Sequence, residues 1–424
     1  MLTQSNTLTV ADAALHLDLS VDTIRRWEKK GLIQADRSAH NHRLFSRQEL
    51  ERLALKHSGR STADRYRILK ADKQTRYTAI ELFSGAGGMA LGLEHAGLQS
   101  KMLVEFDKYA AATLRANRGK KWNIVEGDIH DVSFKEHAGK IDVVVGGFPC
   151  QAFSYAGHGE GFGDPRGTLF FQFARCVSEV QPKIAVAENV RGLLKHDGGR
   201  TLRTMVLELE SRGYRVDYKL LRAQFLDVPQ KRERLLIVGI RKDLDIPFLF
   251  PRERDYTVSL REALKGVPKS DGAKYPKAKK AVLDLVPPGG YWKDLPEDIQ
   301  RKYMAGSFHL TGGKTGMARR LSWDEPTLTL TCSPAQKQTE RCHPKETRPL
   351  TVREYARIQT FPDDWQFMGG TAAQYKQIGN AVPVNLGYYV GQAVIGMLRG
   401  KWDETVLRRA DELSADDRKW RLFS

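Results

Sequence analysis

Long apolar runs are missing from this sequence. None approaches the roughly 20 residues that a membrane-spanning helix needs, which on hydropathy argues against a transmembrane protein. Cysteine is scarce: there are four in 424 residues, Cys150, Cys176, Cys332 and Cys342, and none forms a CxxC pair. That excludes a disulfide scaffold and points to reduced, cytosolic thiols. The opening MLTQSNTLTVADAALHLDLS lacks a basic stretch followed by an apolar one, so no secretory signal is expected. Acidic residues are in deficit, 51 against 68 Lys and Arg, for a net charge of +17. Such an excess points to a polyanionic partner, most simply nucleic acid. A generally basic soluble enzyme is the alternative. The length suggests two or three domains of roughly 100–200 residues.

What is present falls into segments. No internal repeat or long low-complexity stretch is found. Residues 1–57 read as a small helical unit, and 58–77, SGRSTADRYRILKADKQTRY, as a polar, basic linker or exposed helix. From Thr78 short apolar strands alternate with helical stretches: TAIELF, SKMLVEF, IDVVVGG, KIAVAEN and RLLIVGI. That alternation predicts a doubly wound α/β sheet over 78–250. Residues 251–347 are irregular and rich in Pro, Gly, Lys and Thr. Regularity returns over 348–400, ending in the buried-helix pattern NLGYYVGQAVIGML, and 401–424 reads as a tail.

The N-terminal unit has helix-turn-helix grammar. Thr9 and Ser20 are placed to cap VADAALHL and VDTIRRWEKK, and the second helix is basic and stops at Gly31. GLIQADRSAHNHRLFS then reads as a wing, with Arg37, His42 and Arg43 available for phosphates or a groove. The segments TVADAALHLDLSVDTIRRWEKKGLI and RLFSRQEL resemble the MerR-type winged helix-turn-helix. The resemblance implies DNA contact through Arg25, Arg26 and Arg43, with Val10, Ala14, Leu17, Ile24, Trp27, Leu32 and Leu44 in the core. The bland alternative is a small helical docking domain with a solvated basic face.

The first strand-turn-helix, AIELFSGAGGMALG, satisfies G-x-G-x-x-[GA] through Gly85, Gly87 and Ala90. Glycines let the backbone approach a ligand, and a helix N-terminus attracts negative charge. Glu105 ends the next strand and could accept ribose hydroxyls. Alone this indicates a nucleotide-like cofactor, with NAD a candidate. Phe106 could stack on adenine, and Asp128 in GDI could accept from its amino group.

Cys150 follows a β-branched strand and a Gly-Gly-Phe-Pro turn, at a strand's carboxyl end where open α/β sheets bind ligands. A thiolate there would be nucleophilic; a buried structural thiol is the alternative. The next 12 residues, Tyr155 to Arg166, hold four glycines and suggest a closing loop. KIAVAENV delivers Glu188, which could face Cys150 or serve as a structural carboxylate. QKRER places Arg232 and Arg234 just before a strand, where alternation sets both on one face.

Together these segments closely resemble DNA (cytosine-5) methyltransferases of the bacterial restriction-modification type. The shared stretches are ELFSGAGG, VEFDKYA, EGDI, GGFPCQAFS, GFGDPRGTLFFQFAR, AENVRGLLKHDGG, QKRERLLIVG, RPLTVREYARIQTFPDDW and QIGNAVP, in the family's order. The resemblance implies a Rossmann-like domain dependent on S-adenosylmethionine (SAM), interrupted by a smaller target-recognition domain at 251–347. It also implies a cytosine flipped out of double-stranded DNA. Cys150 would attack C6, Glu188 would bond the exocyclic amine and N3, Arg234 would contact O2, and Arg232 would anchor the site. Phe83, Gly85, Gly87, Gly88, Glu105, Phe106, Asp128, Ile129 and Asn380 would hold the donor, with Phe148 and Pro149 lining the pocket. Gln151, Ser154 and Arg166 would reach DNA. Within the recognition region, Lys314, Arg319, Arg320, Lys337 and Arg341 would be candidates for base readout.

Competing readings fit less well. Amino-directed methyltransferases need [NDS]-P-P-[YFW], and the lone Pro-Pro here, Pro287-Pro288, precedes Gly. A dehydrogenase leaves FPCQ, ENV and QKRER unexplained. An RNA cytosine-5 methyltransferase is closer, but the large variable region and N-terminal module favour duplex DNA. A transcription regulator acting on its own promoter or operator is the reading from another class, and it can coexist with the enzyme. No metal site is expected, since the spacing of Cys332, Cys342, His309 and His343 matches no common zinc pattern. The expected location is the bacterial cytoplasm, at the nucleoid.

Overall fold

The computed structural model describes residues 7–17, 19–29, 31–37, 43–47, 49–50, 53, 65–149, 169–309 and 314–413. The chain forms two compact units, Met1–Tyr66 with Thr257–Ile358, and Arg67–Tyr256 with Gln359–Ser424.

In the first unit the Thr9 hydroxyl accepts from the Asp12 amide at 3.2 Å and starts the Val10–His16 helix. Ser20 does the same for the Thr23 amide, 3.0 Å away, at the start of Val21–Lys29. Gly31 then reverses the chain with φ +67°, a conformation open to glycine. Strands β1 (Thr7–Thr9), β2 (Ala35–Arg37) and β3 (Arg43–Ser46) form an antiparallel sheet in the order β1-β3-β2. The core holds Ala14, Ile24 and Trp27 as expected, with Val10 and Leu17 packed at its edge. Two expectations fail. Leu32 is 41% exposed and Ile33 takes the core place; likewise Phe45, not Leu44, is fully buried. Both are one-residue register errors, and in a strand one residue changes the face.

The inserted stretch of this unit has little regular structure. Its helices include Leu260–Leu264, Lys277–Asp284, Glu297–Met304 and Val352–Ile358. Carbonyls without ladder partners must be satisfied some other way, and arginines do it. Arg320, nearly fully buried, donates to the Val286 and Leu283 carbonyls, both at 2.7 Å. Arg341 reaches the Thr329 carbonyl at 2.6 Å, and Arg357 that of Lys265 at 2.6 Å. Lys314 and Lys337 donate to the carbonyls of Phe308 and Tyr303. Side chains that were candidates for base readout are thus used internally.

The second unit is built on a seven-stranded sheet. Its strands are β4 (Thr78–Leu82), β5 (Gln99–Glu105), β6 (Ile124–Glu126), β7 (Val143–Gly146), β8 (Ile184–Val190), β9 (Tyr214–Arg222) and, after a two-residue β10 (Gln230–Lys231), β11 (Glu233–Arg241). The order is β6-β5-β4-β7-β8-β11-β9. The first five in that order pair in parallel, while β11 runs antiparallel to β8 and β9. The sheet is therefore mixed. Strand order reverses between β4 and β7, the switch point where open α/β sheets bind ligands.

Both faces are covered. One packs on Leu93, Tyr389, Val390 and Val394 from the Gly88–Ala96 and Val384–Arg399 helices. The other packs on Phe170, Phe173 and Leu202 from Leu169–Val180 and Arg200–Ser211. The stretch Thr371–Arg399 is apolar and long enough to cross a membrane by composition, but 78% of its most apolar window is buried in the protein. It is accounted for as core. Two boundaries also shift. Residues 67–77, expected as linker, pack on this unit: the Leu69 amide donates to Asn385 at 2.9 Å, and Tyr77 is in the core. In the expected tail, Leu407–Arg409 pairs with Leu249–Pro251.

Candidate active site

The carboxyl ends of the parallel strands carry several of the expected residues. After β4 the chain turns through Phe83 (φ +59°), Gly85 (φ +53°) and Gly87 (φ +86°) into the Gly88–Ala96 helix. A side chain on Gly85 would meet nothing within 4 Å, so the turn borders open space. Glu105, at the end of β5, holds this turn. One carboxylate oxygen accepts from the Gly85 amide at 2.6 Å and the other from the Asp107 amide at 2.7 Å. Burial pushes the Glu105 carboxyl above the usual range, and these two amide bonds pull it back. Phe106, next in sequence, is 76% exposed. Asp128, past β6, is about half exposed and accepts from the His130 amide and ring, which lowers its pKa. Ile129 beside it is buried.

Past β7, Phe148 is buried edge-on to Phe83, ring centroids 6.5 Å apart, and Pro149 is exposed. Cys150, Gln151, Ser154 and Arg166 lie outside the described residues. The structure does describe what borders Cys150 in sequence. Glu188 on β8 brings Oε2 to 3.1 Å from where a Gly147 side chain would begin. Its Oε1 pairs with Arg234 Nε at 2.7 Å, both side chains being mostly buried. Arg234 reaches it because β11 starts antiparallel beside the end of β8. Burial lowers the Arg234 pKa, and Glu188 opposes that.

Arg232 goes elsewhere. It is fully buried and donates to the carbonyls of Ala381 at 2.9 Å and Gly379 at 3.2 Å. These flank Asn380, the last, exposed residue of the Thr371–Asn380 helix. Two residues not singled out from sequence complete the frame. Asn189 donates to the Phe148 carbonyl at 3.0 Å and so fixes the turn that leads to Cys150. Gln359 accepts from Gln230 at 2.9 Å and donates to the Ile378 and Ala381 carbonyls. A polar residue beside Glu188 in a buried strand was the available signal for Asn189. Gln359 carried none, since its partners lie far away in sequence.

The glycine turn and the segment after Asn380 also touch. A side chain on Gly88 would begin 2.0 Å from the Val382 carbonyl oxygen. Gly88→Ala must therefore push two backbone segments apart. The expected cost is about 3 kcal/mol, at the upper end for overpacking, read as a lowered urea midpoint. An unchanged midpoint would show that the contact relaxes freely.

Of the N-terminal candidates, Arg43 pairs with Glu28 at 3.0 Å and Arg25 with Asp294 at 2.6 Å, while Arg26 pairs with Glu325.

Residues 77–396 match the family model of C-5 cytosine-specific DNA methylases, and residues 9–45 that of MerR family regulatory proteins. The chain is 54% identical to the Type II methyltransferase M.Eco47II of Escherichia coli, covering 92% of this chain and 95% of that protein. It is 54% identical to M.Sau96I of Staphylococcus aureus over 77% of each. The solved structure of the Entamoeba histolytica methyltransferase EhMeth has the same fold, with a TM-score of 0.53 at 16% identity over 77% of this chain and 99% of that one. With a family match that spans both parts of the sheet-bearing unit, and a relative aligned over nearly its whole length, the chain belongs to the C-5 cytosine-specific DNA methylases.

Proposed function

We propose that this chain transfers a methyl group from SAM to C5 of a flipped cytosine within a short specific sequence of duplex DNA. The product would protect host DNA from a cognate restriction enzyme. The observation that carries this is the Glu188 carboxylate, held by Arg234 and set beside Gly147, three residues before Cys150. In the proposed reaction the Cys150 thiolate adds to C6 of the base. Glu188 holds the exocyclic amine and N3 and supports protonation there, so charge developing on the ring is stabilised. Arg234 contacts O2 while fixing Glu188. C5 becomes nucleophilic and would take the methyl group that SAM supplies, the S–CH3 bond breaking to release S-adenosylhomocysteine. Loss of the C5 proton then expels the thiolate.

The residues at the glycine turn fit SAM. There is open space at Gly85, an exposed ring at Phe106 for adenine, and carboxylates at Glu105 and Asp128 for ribose and base. Asn380 would meet the methionine end. The recognition region is assigned to the inserted stretch of the first unit. A separate role as an autoregulatory repressor has support in the MerR likeness alone. Arg25 and Arg26, which would carry it, are ion-paired within their own unit, so it is not part of the proposal.

The test is base-resolution 5-methylcytosine sequencing of DNA from a methylation-deficient host, with and without this chain. One short sequence methylated only with the chain is the expected result. Soluble protein with no methylated cytosine would overturn the reading.

A further inference from the structure

The second helix of the N-terminal module presents Asp22, Arg25 and Arg26 at i, i+3 and i+4, hence on one face. Residues at the start of such a helix are the ones a helix-turn-helix aims at base edges. Here that face meets the inserted stretch of the same unit. The Val21 amide donates to the Pro288 carbonyl at 3.2 Å, and a side chain on Gly289 would begin 2.7 Å from the Ser20 Cβ. Each charge on this face meets an opposite one across the contact. Asp22 pairs with Arg319, Arg25 with Asp294 at 2.6 Å, and Arg26 with Glu325. The guanidinium groups of Arg25 and Arg319 both lie over the Tyr291 ring, 5.4 and 5.8 Å from its centroid.

The exposures decide what this contact is. The Asp294 and Glu325 side chains are only 6% and 5% exposed. A carboxylate so buried is costly without its cation. A solvated basic face would leave both sides free.

We infer that Asp22, Arg25 and Arg26 are positioning residues of the target-recognition unit, holding its 286–294 and 319–325 segments by ion pairs instead of touching DNA. The helix-turn-helix is then a strut that acts on the enzyme's own grip on its target. This inference rests on the reading of 257–358 as the recognition region.

The experiment uses the full chain with Arg26→Gln, Glu325→Gln and the pair together. Three quantities are read: KM for DNA against kcat, the salt dependence of DNA binding, and hydrogen exchange at the Val21 amide. Arg26 is about half exposed, so its variant folds even if Glu325→Gln does not. Each single variant is expected to raise KM for DNA about threefold to tenfold, with kcat within about twofold. The double variant should be no worse than either single one. Val21 should exchange faster, and the salt slope should not change. A DNA contact predicts otherwise: only Arg26→Gln would act, and it would reduce the salt slope by about one. That result, or unchanged exchange in both single variants, overturns the inference. Faster exchange with unchanged KM for DNA overturns the positioning role too, but places the fault in the reading of 257–358. Exchange reports docking even if no methyl transfer is found.

Discussion

Cys150→Ala will abolish methyl transfer, by a factor on the order of 10⁴ or more, while DNA and SAM still bind. Addition to C6 requires a nucleophile, and the two buried thiols do not supply it. Cys176 is buried in a helix of the sheet's covering layer, and burial drives its pKa far above the usual range. Cys342 lies in the inserted stretch, where burial pushes its thiol up to about 11. Both are held as thiols at neutral pH. Cys332 is exposed. The measurement is single-turnover methyl transfer to duplex DNA carrying the sequence found in the host. Activity within tenfold of the natural chain would remove Cys150 from the chemistry.

Glu188→Gln should cut the same rate by roughly 10²–10⁴, the range for losing a positioned acid-base group. The substitution keeps the side chain's size, so it tests charge and not packing. It has a second consequence. Arg234 is only 13% exposed and would lose its carboxylate partner at 2.7 Å. Breaking a buried pair from one side leaves an uncompensated charge, at a cost of about 3 kcal/mol. The variant should therefore unfold at lower urea as well as react slowly. A slow variant of unchanged stability would mean that Arg234 finds water. A variant as fast as the natural chain would leave Glu188 a purely structural role.

Local patterns were legible without any structure. Helix caps at Thr9 and Ser20, the glycine turn after β4, the strands bearing Glu105 and Glu188, and Asp128 just past β6 all follow from residue types within a few positions of one another. So did the resemblance of the ordered segments, later matched by the family model over residues 77–396. Alternation placed Arg232 and Arg234 on one face, but it could not say that one would anchor the Ala381 carbonyl and the other Glu188. That division depends on β11 running antiparallel to β8, which hydropathy does not encode.

The sequence by itself determined the family, because the resemblance is carried by short contiguous segments in a fixed order. Tertiary structure alone decided how the arginines are spent. A basic residue looks the same in sequence whether it faces a phosphate, a buried carboxylate or a stray carbonyl. In the irregular insert, Arg320 and Arg341 satisfy main-chain carbonyls, and in the N-terminal helix Arg25 and Arg26 neutralise buried carboxylates from elsewhere in the unit. The reason is physical: an unpaired polar group inside a protein is costly. Folding therefore assigns the nearest cation to it, and nearness in space is what sequence spacing does not give.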